Sequence, residues 1–239
     1  MSTSRGYHKQ PFTLIELLVV VGLTSLLLGL GIPAFNRMMQ GNKVEECSRS
    51  IKLGIEQAQL RAASERRYVA VIFPNGSDTD VADSLRNYRL GGYRLAYVKK
   101  DNSGDGGFDF DKWADSGWRN APAGAMLVNI KTSPFASGNF DDCPVKTTAA
   151  ITGANRLQSV AKVKNDSGDA IKTGDNCALI FTPYGNTVGG SKLYFLISET
   201  AVNGSDIAYP STGQSGKTAN YMILRVNNLT GRVEYYSNE

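Results

Sequence analysis

The longest apolar stretch of the chain is residues 12–32, FTLIELLVVVGLTSLLLGLGI. As an α-helix these residues would extend over about 31 Å, close to the roughly 30 Å hydrocarbon core of a bilayer. We predict a transmembrane helix over 12–32. Arg5 and Lys9 precede it, so the positive-inside rule places residues 1–11 in the cytoplasm. A secretory signal peptide is the alternative, but the run is long for one and no small-residue cleavage site follows it.

Helical periodicity returns at residues 43–67, now as a single apolar stripe with charged residues mostly off it. The stripe consists of Val44, Cys47, Ile51, Ile55, Ala58 and Ala62. We predict that it packs on a β domain rather than on a coiled-coil partner, because it lasts only about three heptads. The i,i+4 spacings of Glu45 with Arg49 and of Arg61 with Glu65 predict ion pairs along this helix.

From Tyr68 onward the pattern changes to short runs rich in β-branched and aromatic residues, separated by Gly, Asn, Asp and Ser. The runs predict strands at 68–73, 88–98, 125–131, 157–163, 177–182, 192–198, 221–226 and 232–236. The polar segments 75–86, 101–124, 132–155 and 199–219 are predicted to be surface loops. The fold class is therefore α+β: a long N-terminal helix, half membrane-spanning and half amphipathic, packed on an antiparallel β-sheet domain over 68–239.

Composition and charge narrow the function. His8 is the only histidine, which excludes most Ser-His-Asp, zinc and His acid–base chemistry. The net charge of +4 belongs to residues 1–67, since residues 68–239 carry as many acidic as basic side chains. A β domain without net charge has no general attraction for nucleic acid.

Glu16 is the one charged residue within the apolar stretch, where a carboxylate is costly and by default functional. Residues 12–20, FTLIELLVV, resemble the N-terminal signature of type IV pilins and type II secretion pseudopilins. The resemblance implies a leader peptide at 1–11, cleavage before Phe12, N-methylation of Phe12 and an assembly role for Glu16. Pro33 falls where the family commonly has a proline that interrupts the helix.

One position departs from the family pattern. Pro11 stands where the family has glycine before the cleaved bond. Proline lacks an N–H and has a fixed φ, so it fits a subsite built for glycine poorly. Either a tolerant peptidase cleaves before Phe12, or the chain stays unprocessed.

A second resemblance involves three short segments. The helix segment QAQLRAAS (57–64), the turn FTPYG (181–185) and the hairpin TGRV (230–233) resemble H-type minor pseudopilins and FimT-like minor pilins. The resemblance implies that the two later segments close a two-sheet β domain. The long inserts at 101–124 and 132–155 depart from that family.

The three cysteines contain no CxxC pair. The domain beyond the membrane is expected in an oxidising compartment, so a Cys143–Cys177 disulfide is favoured over two free thiols. Cys47 is expected to be a small apolar residue of the helix stripe.

Two other patterns are weaker. Asp101, Ser103, Asp105 and Asp109 are spaced like calcium ligands of an EF-hand, but Lys112 stands where the bidentate Glu belongs, so a polar turn is the favoured interpretation. Ser159-x-x-Lys162 and Lys172-Thr173-Gly174 imitate motifs of penicillin-binding enzymes at the wrong spacing, which indicates coincidence.

The sequence therefore predicts a pilin-like structural subunit, most like a minor pseudopilin, with no enzyme activity and no cofactor. Its expected partners are other pilin-like subunits, a prepilin peptidase and the inner-membrane assembly platform. The C-terminal domain is expected in the periplasm. The alternative is a FimT-like minor pilin that binds DNA, which needs a basic patch beyond Lys217, Arg225 and Arg232.

Overall fold

The computed structural model describes residues 14–75, 85, 88, 91–101, 107–122, 124–135, 147–148, 151, 153–203, 206–208 and 220–236. For residues 30–42, 147–148, 201–203 and 206–208 it describes the backbone alone. The fold is α+β with mostly antiparallel strand pairs, as the sequence predicts. Over these residues it has one long helix and twelve strands.

The helix α1 is Leu14–Glu65, 52 residues long, and helical backbone continues through position 33, where the resemblance implied an interruption. The strands are β1 Tyr68–Ile72, β2 Arg94–Lys100, β3 Phe108–Trp113, β4 Ala125–Lys131, β5 Thr147–Thr148, β6 Val160–Ala161, β7 Ala178–Phe181, β8 Leu193–Glu199, β9 Ala201–Asn203, β10 Asp206–Ala208, β11 Tyr221–Val226 and β12 Val233–Tyr236.

The strands form three sheets. The first has the order β6-β3-β2-β1-β7, and all its pairs are antiparallel except β3 with β6. The second has the order β12-β11-β8-β4 and the third the order β5-β10-β9, both antiparallel throughout.

The second part of α1 packs on the first two sheets through the predicted stripe. All six of its side chains are buried, each at most 1% exposed: Val44, Cys47, Ile51, Ile55, Ala58 and Ala62. They share one core with Val71 of β1 and Phe195 of β8. The stripe is therefore an intramolecular packing face, as predicted.

Strand β1 explains why its sequence, YVAVI, is apolar at nearly every position. Val69 and Val71 belong to the core beneath α1, whereas Ala70 and Ile72 belong to a second apolar cluster on the other side of the sheet. Because one apolar cluster packs on each side of the sheet, both faces of β1 are covered. A strand buried on both faces shows no alternation of apolar and polar residues.

One glycine sets the distance between α1 and the first sheet. A Cβ on Gly54 would lie 2.2 Å from the ring of Tyr93, much closer than atoms can approach. The Tyr93 hydroxyl donates a hydrogen bond to the Ser50 carbonyl oxygen of α1 at 2.8 Å. The ring therefore lies directly against the helix backbone.

Several sequence predictions are corrected in the β domain. Strand β3 lies within 101–124, which was predicted to be a loop. The strand predicted at 88–98 begins at Arg94, because the chain turns tightly at Gly92, where a Cβ would meet Tyr88 at 2.5 Å. The strand predicted at 157–163 is limited to Val160–Ala161 and ends where Lys162 adopts a left-handed φ of 59°.

The two predicted ion pairs along α1 are absent among the described residues, where Lys52 and Glu56 form the helix's i,i+4 pair instead. Arg61 donates to the Ala114 carbonyl oxygen. Glu65 accepts a hydrogen bond from the Tyr97 hydroxyl at 3.0 Å. Both side chains thus attach the end of α1 to the first sheet.

The chain divides into two compact units, residues 1–40 and 41–239. Across the residues described, no helix combines the length and the apolar character needed to cross a membrane.

Candidate functional site

The first part of α1 is apolar and exposed around its whole circumference. Eleven large apolar side chains between positions 14 and 28 are each 51–84% exposed: Leu14, Ile15, Leu17, Leu18, Val19, Val20, Val21, Leu23, Leu26, Leu27 and Leu28. A helix that is apolar on every side is normally buried. This segment therefore differs from the rest of α1 in leaving its apolar side chains exposed.

The hydroxyl groups of this segment are satisfied inside the helix. Thr24 donates to the Val20 carbonyl oxygen at 2.9 Å, and Ser25 donates to the Val21 carbonyl oxygen at 2.8 Å. Back-bonding of this kind removes free polar groups from the helix surface. Polar groups that bond within their own helix are compatible with surroundings that offer no water.

Glu16 lies in the first turn of α1 and is exposed, within the apolar surface. A carboxylate in the first turn is favoured by the helix dipole. The predicted cleavage and methylation positions, Pro11 and Phe12, lie outside the described residues.

The three segments of the second resemblance meet at one place, which we call the Gln59 junction: Gln59 of α1 with the turns at 182–185 and 228–231. The Gln59 side-chain amide donates to the Thr230 carbonyl oxygen. A Cβ on Gly231 would lie 2.0 Å from the Gly185 carbonyl oxygen, so the two turns touch through their backbones. Both glycines have left-handed φ angles, 83° at Gly185 and 69° at Gly231, which other residues adopt at a cost.

Sequence reasoning noted these three segments separately but did not identify Gln59. The implied closing hairpin is present, because β11 and β12 pair around the 228–231 turn. The sequence offered one indication, the polar amide of Gln59 at the partly exposed edge of the helix stripe. A polar side chain in that position does not by itself indicate a contact.

The two cysteines that the structure describes, Cys47 and Cys177, are buried. Burial, with a smaller contribution from Glu46, raises the pKa of the Cys47 thiol to about 12, as suits a packing residue. The Cys177 Sγ lies 3.4 Å from the Thr173 hydroxyl oxygen. Cys143 lies outside the described residues, so the Cys143–Cys177 disulfide stays a prediction, which peptide mapping without reduction tests.

Two of the four weak calcium candidates can be located. Asp101 and Asp109 stand on either side of the 102–106 segment, and the Asp101 amide donates to the Gly107 carbonyl oxygen at 2.8 Å. Asp109 binds the Lys162 ammonium at 2.6 Å. Ser103 and Asp105 lie outside the described residues, within which no group of three metal-ligating side chains occurs.

The two segments that resemble motifs of penicillin-binding enzymes do not form a catalytic site. Ser159 donates to the Asn176 side-chain oxygen at 3.3 Å, whereas Lys162 is paired with Asp109. The two motifs do border one open cleft of about 860 Å³, lined by Lys162, Lys172, Thr173 and Gly174 among others. The Ser159 hydroxyl and the Lys162 ammonium thus bind different residues.

Two of the basic residues considered for DNA binding share one carboxylate. Arg225 and Arg232 both contact Glu234, Arg232 at 3.4 Å. The hydrogen bond from Arg225 lowers the pKa of the Glu234 carboxyl, which keeps it charged. Lys217 lies outside the described residues.

No protein-family model and no curated protein sequence matches this chain. Among solved structures it is similar to the crystal structure of the type IV minor pilin FimU from Pseudomonas aeruginosa strain PAO1. The match covers 82% of this chain and 90% of that chain, with 14% sequence identity and a TM-score of 0.37. Likeness at this level is too distant to transfer a function.

Proposed function

We propose that this chain is a pilin-like structural subunit that assembles through the first part of α1 into a type II secretion pseudopilus or a type IV pilus. The observation that carries the proposal is the exposed apolar surface of residues 14–28. Its side chains need an apolar environment, which lipid supplies before assembly and the same helices of neighbouring subunits supply afterwards.

In this proposal residues 12–32 anchor the subunit in the bacterial inner membrane, with residues 1–11 cytoplasmic and the β domain periplasmic. A prepilin peptidase removes 1–11 and the membrane platform assembles the mature subunits. The resemblance of residues 12–20 to the prepilin signature supports this topology.

Glu16 is the residue through which the register of assembly is set. Cleavage before Phe12 creates an α-amino group, and we propose that it pairs with Glu16 of an adjacent subunit. Side chains on a helix lean toward its N-terminus, so axially staggered helices bring the two groups together. An ion pair in low dielectric favours one register over slipped ones, and it is better evidence for specificity than for stability.

Glu16→Leu tests this role. The variant should insert into the membrane as well as the parent chain or better, because the carboxylate is removed. It should be lost from filaments and from partner pulldowns at matched membrane levels. Glu45→Leu is the matched control, since Glu45 is an exposed glutamate of the same helix outside the apolar part. Equal recovery of the Glu16 variant and the parent would overturn the assembly role.

Leader processing has its own test. Intact mass of the membrane-extracted chain should correspond to an N-methylated Phe12 start. If the mass retains residues 1–11, Pro11 blocks the peptidase, and Pro11→Gly should then restore cleavage. A Pro11→Gly chain that also keeps its leader would refute the proposed processing site.

A DNA-binding minor pilin is the second candidate, and it is the weaker one because Glu234 cancels one of the two positive charges of Arg225 and Arg232. Binding through phosphates would show a steep loss of affinity with salt. A salt-dependent DNA mobility shift with the purified chain would favour this candidate over a purely structural subunit.

A further inference from the structure

Arg94, on β2, is only 2% exposed, which is unusual for an arginine. Its guanidinium carbon lies 4.2 Å from the centre of the Trp113 ring. Two carboxylates from different parts of the chain lie beside it: Asp115, which follows β3, and Asp166, which follows β6. One buried cation is therefore shared by two acidic side chains.

The two carboxylates bind this guanidinium unequally. Asp166, whose side chain is 68% exposed, accepts two hydrogen bonds from the terminal nitrogens of Arg94, at 2.7 and 3.1 Å. The Oδ1 of Asp115 lies 3.5 Å from the Nε of Arg94. Both oxygens of Asp115 are buried, and neither has a hydrogen-bond partner among the described residues. A buried carboxylate without hydrogen bonds is costly, so Asp115 competes with Asp166 for the same cation.

Asp166 lies at the tip of a short hairpin, residues 163–171. The hairpin is closed by its own backbone, since the Asn165 amide donates to the Asp169 carbonyl oxygen at 2.8 Å. Val163 at its base is buried in the second apolar cluster, whereas the tip is exposed. The base is therefore fixed by packing, and the tip depends on polar contacts.

Two polar contacts attach the tip to the first sheet. One is the pair of hydrogen bonds between Arg94 and Asp166. The other is a hydrogen bond from the Trp113 Nε1 to the Lys164 carbonyl oxygen at 2.8 Å. Because Trp113 also stacks on Arg94, both contacts depend on where the Arg94 guanidinium lies.

The two carboxyl groups have pKa shifts of opposite direction. Burial raises the pKa of the Asp115 carboxyl. The guanidinium groups of Arg119 and Arg94 oppose this shift, and so does that of Arg61 on α1. The hydrogen bonds from Arg94 lower the pKa of the Asp166 carboxyl. Acidification therefore protonates Asp115 first, while Asp166 is still charged.

We propose that Arg94, Asp115 and Asp166 form a pH-sensitive latch for the tip of the 163–171 hairpin. A charged Asp115 attracts the guanidinium away from Asp166 and loosens the tip. A neutral Asp115 leaves the guanidinium to Asp166, and the tip is held firmly. The latch therefore tightens as the pH falls from neutral, and it opens only in stronger acid, where Asp166 is protonated as well.

Hydrogen exchange of the full chain in detergent, measured by mass spectrometry on peptides that cover 163–171, tests the latch. At about pH 7.5, well above the usual pKa of an aspartate, Asp115→Asn should slow exchange of the hairpin amides several-fold relative to the parent. At about pH 4.5 the difference should shrink, because Asp115 of the parent approaches the same neutral state. Asp175→Asn, at an exposed aspartate outside the hairpin, is the matched control and should leave exchange unchanged at both pH values.

Faster hairpin exchange in Asp115→Asn at pH 7.5, or an equal difference at both pH values, would overturn the proposal. A second measurement needs no change at Asp115. In the parent, hairpin protection corrected for the pH dependence of chemical exchange should rise several-fold on acidification from pH 7.5 to 4.5. Asp166→Asn should exchange faster than the parent and lose this rise. A rise that persists in Asp166→Asn, or a parent without one, would contradict the latch as well.

Discussion

The two parts of α1 obey different sequence rules within one continuous helix. Between positions 14 and 28 every face is apolar and every large apolar side chain is exposed. Between positions 44 and 62 the apolar side chains form one stripe, and all of them are buried against the sheets. A stripe identifies a packing partner within the chain, whereas the apolar residues on all faces of the first part have no packing partner among the described residues.

The glycines of α1 show the same difference at the level of atoms. A Cβ on Gly22 or Gly29 would have no neighbour within 4 Å. A Cβ on Gly54 would overlap the ring of Tyr93. A side chain at position 22 or 29 would therefore have free space within one chain, whereas a side chain at position 54 would clash with the folded domain.

The largest expected effect comes from placing a carboxylate in the stripe. Ile55→Asp should unfold the β domain or destabilise it by more than about 4 kcal/mol, because it buries an unpaired charge and leaves a cavity. Denaturant unfolding of the full chain in detergent measures this. Leu53→Asp, on the exposed side of the same turns, should change stability by less than about 0.5 kcal/mol. Similar losses for the two variants would show that the stripe is not the packing face.

A smaller change in stability is expected at Gly54, and its sign is opposite to the one that helix propensity alone predicts. Alanine normally stabilises a helix interior by roughly 0.5–1 kcal/mol relative to glycine. Here Gly54→Ala should destabilise the domain by about 1–3 kcal/mol, because the Tyr93 ring must move. Gly22→Ala should leave the unfolding midpoint of the domain unchanged. Tyr93→Leu in the same chain should reduce the Gly54→Ala penalty, and a fully additive double variant would contradict the clash.

Gln59→Ala should cost about 1 kcal/mol, the usual net value of a lost hydrogen bond, because its amide joins α1 to the 228–231 turn. Gln57→Ala is the matched control on the neighbouring face of α1. Thermal unfolding of the two variants measures the difference. A cost equal in both positions would mean that the junction contact adds nothing to the stability of the domain.

The smallest expected effect concerns the chemical reactivity of Cys47 and not the stability of the domain. Burial raises the pKa of the Cys47 thiol to about 12, so very little of it is thiolate, the reacting form, at pH 8. Cys47 should therefore resist alkylation in the folded chain and react on unfolding. A cysteine introduced by Leu26→Cys, in the exposed part of α1, should react without denaturant in detergent. Rapid native alkylation of Cys47 would contradict its burial.

The periodicity of apolar residues along the sequence correctly predicted elements that bury one side against the core. The stripe of α1 was predicted residue by residue, and β4 and β11 have the predicted bounds. Strand β3 was missed because its sequence, FDFDKW, follows a run of Gly and Asp and carries charges on its partly exposed face. Its strand state depends on pairing with β2, a non-local contact that local composition does not encode.

The candidate site was predictable in one part only. Glu16 is recognisable because a single charge interrupts an apolar run, which needs no knowledge of the fold. The Gln59 junction depends on two turns that lie far from Gln59 in sequence and meet only when both sheets are complete. Arg61 and Glu65 were assigned to each other by helix spacing, but the first sheet offers both a closer partner.

The position of β1 in the first sheet has a consequence for the time course of folding. β1 follows α1 directly, yet one of its neighbours is β7, with Val69 opposite Phe181. The chain between them must be closed into a loop before this pairing forms, and such non-local pairing slows folding. A nascent chain that has already exposed the stripe of α1 must therefore wait for residues beyond 181 before the stripe is covered. The interval between the two events is the period in which this chain is most vulnerable to aggregation.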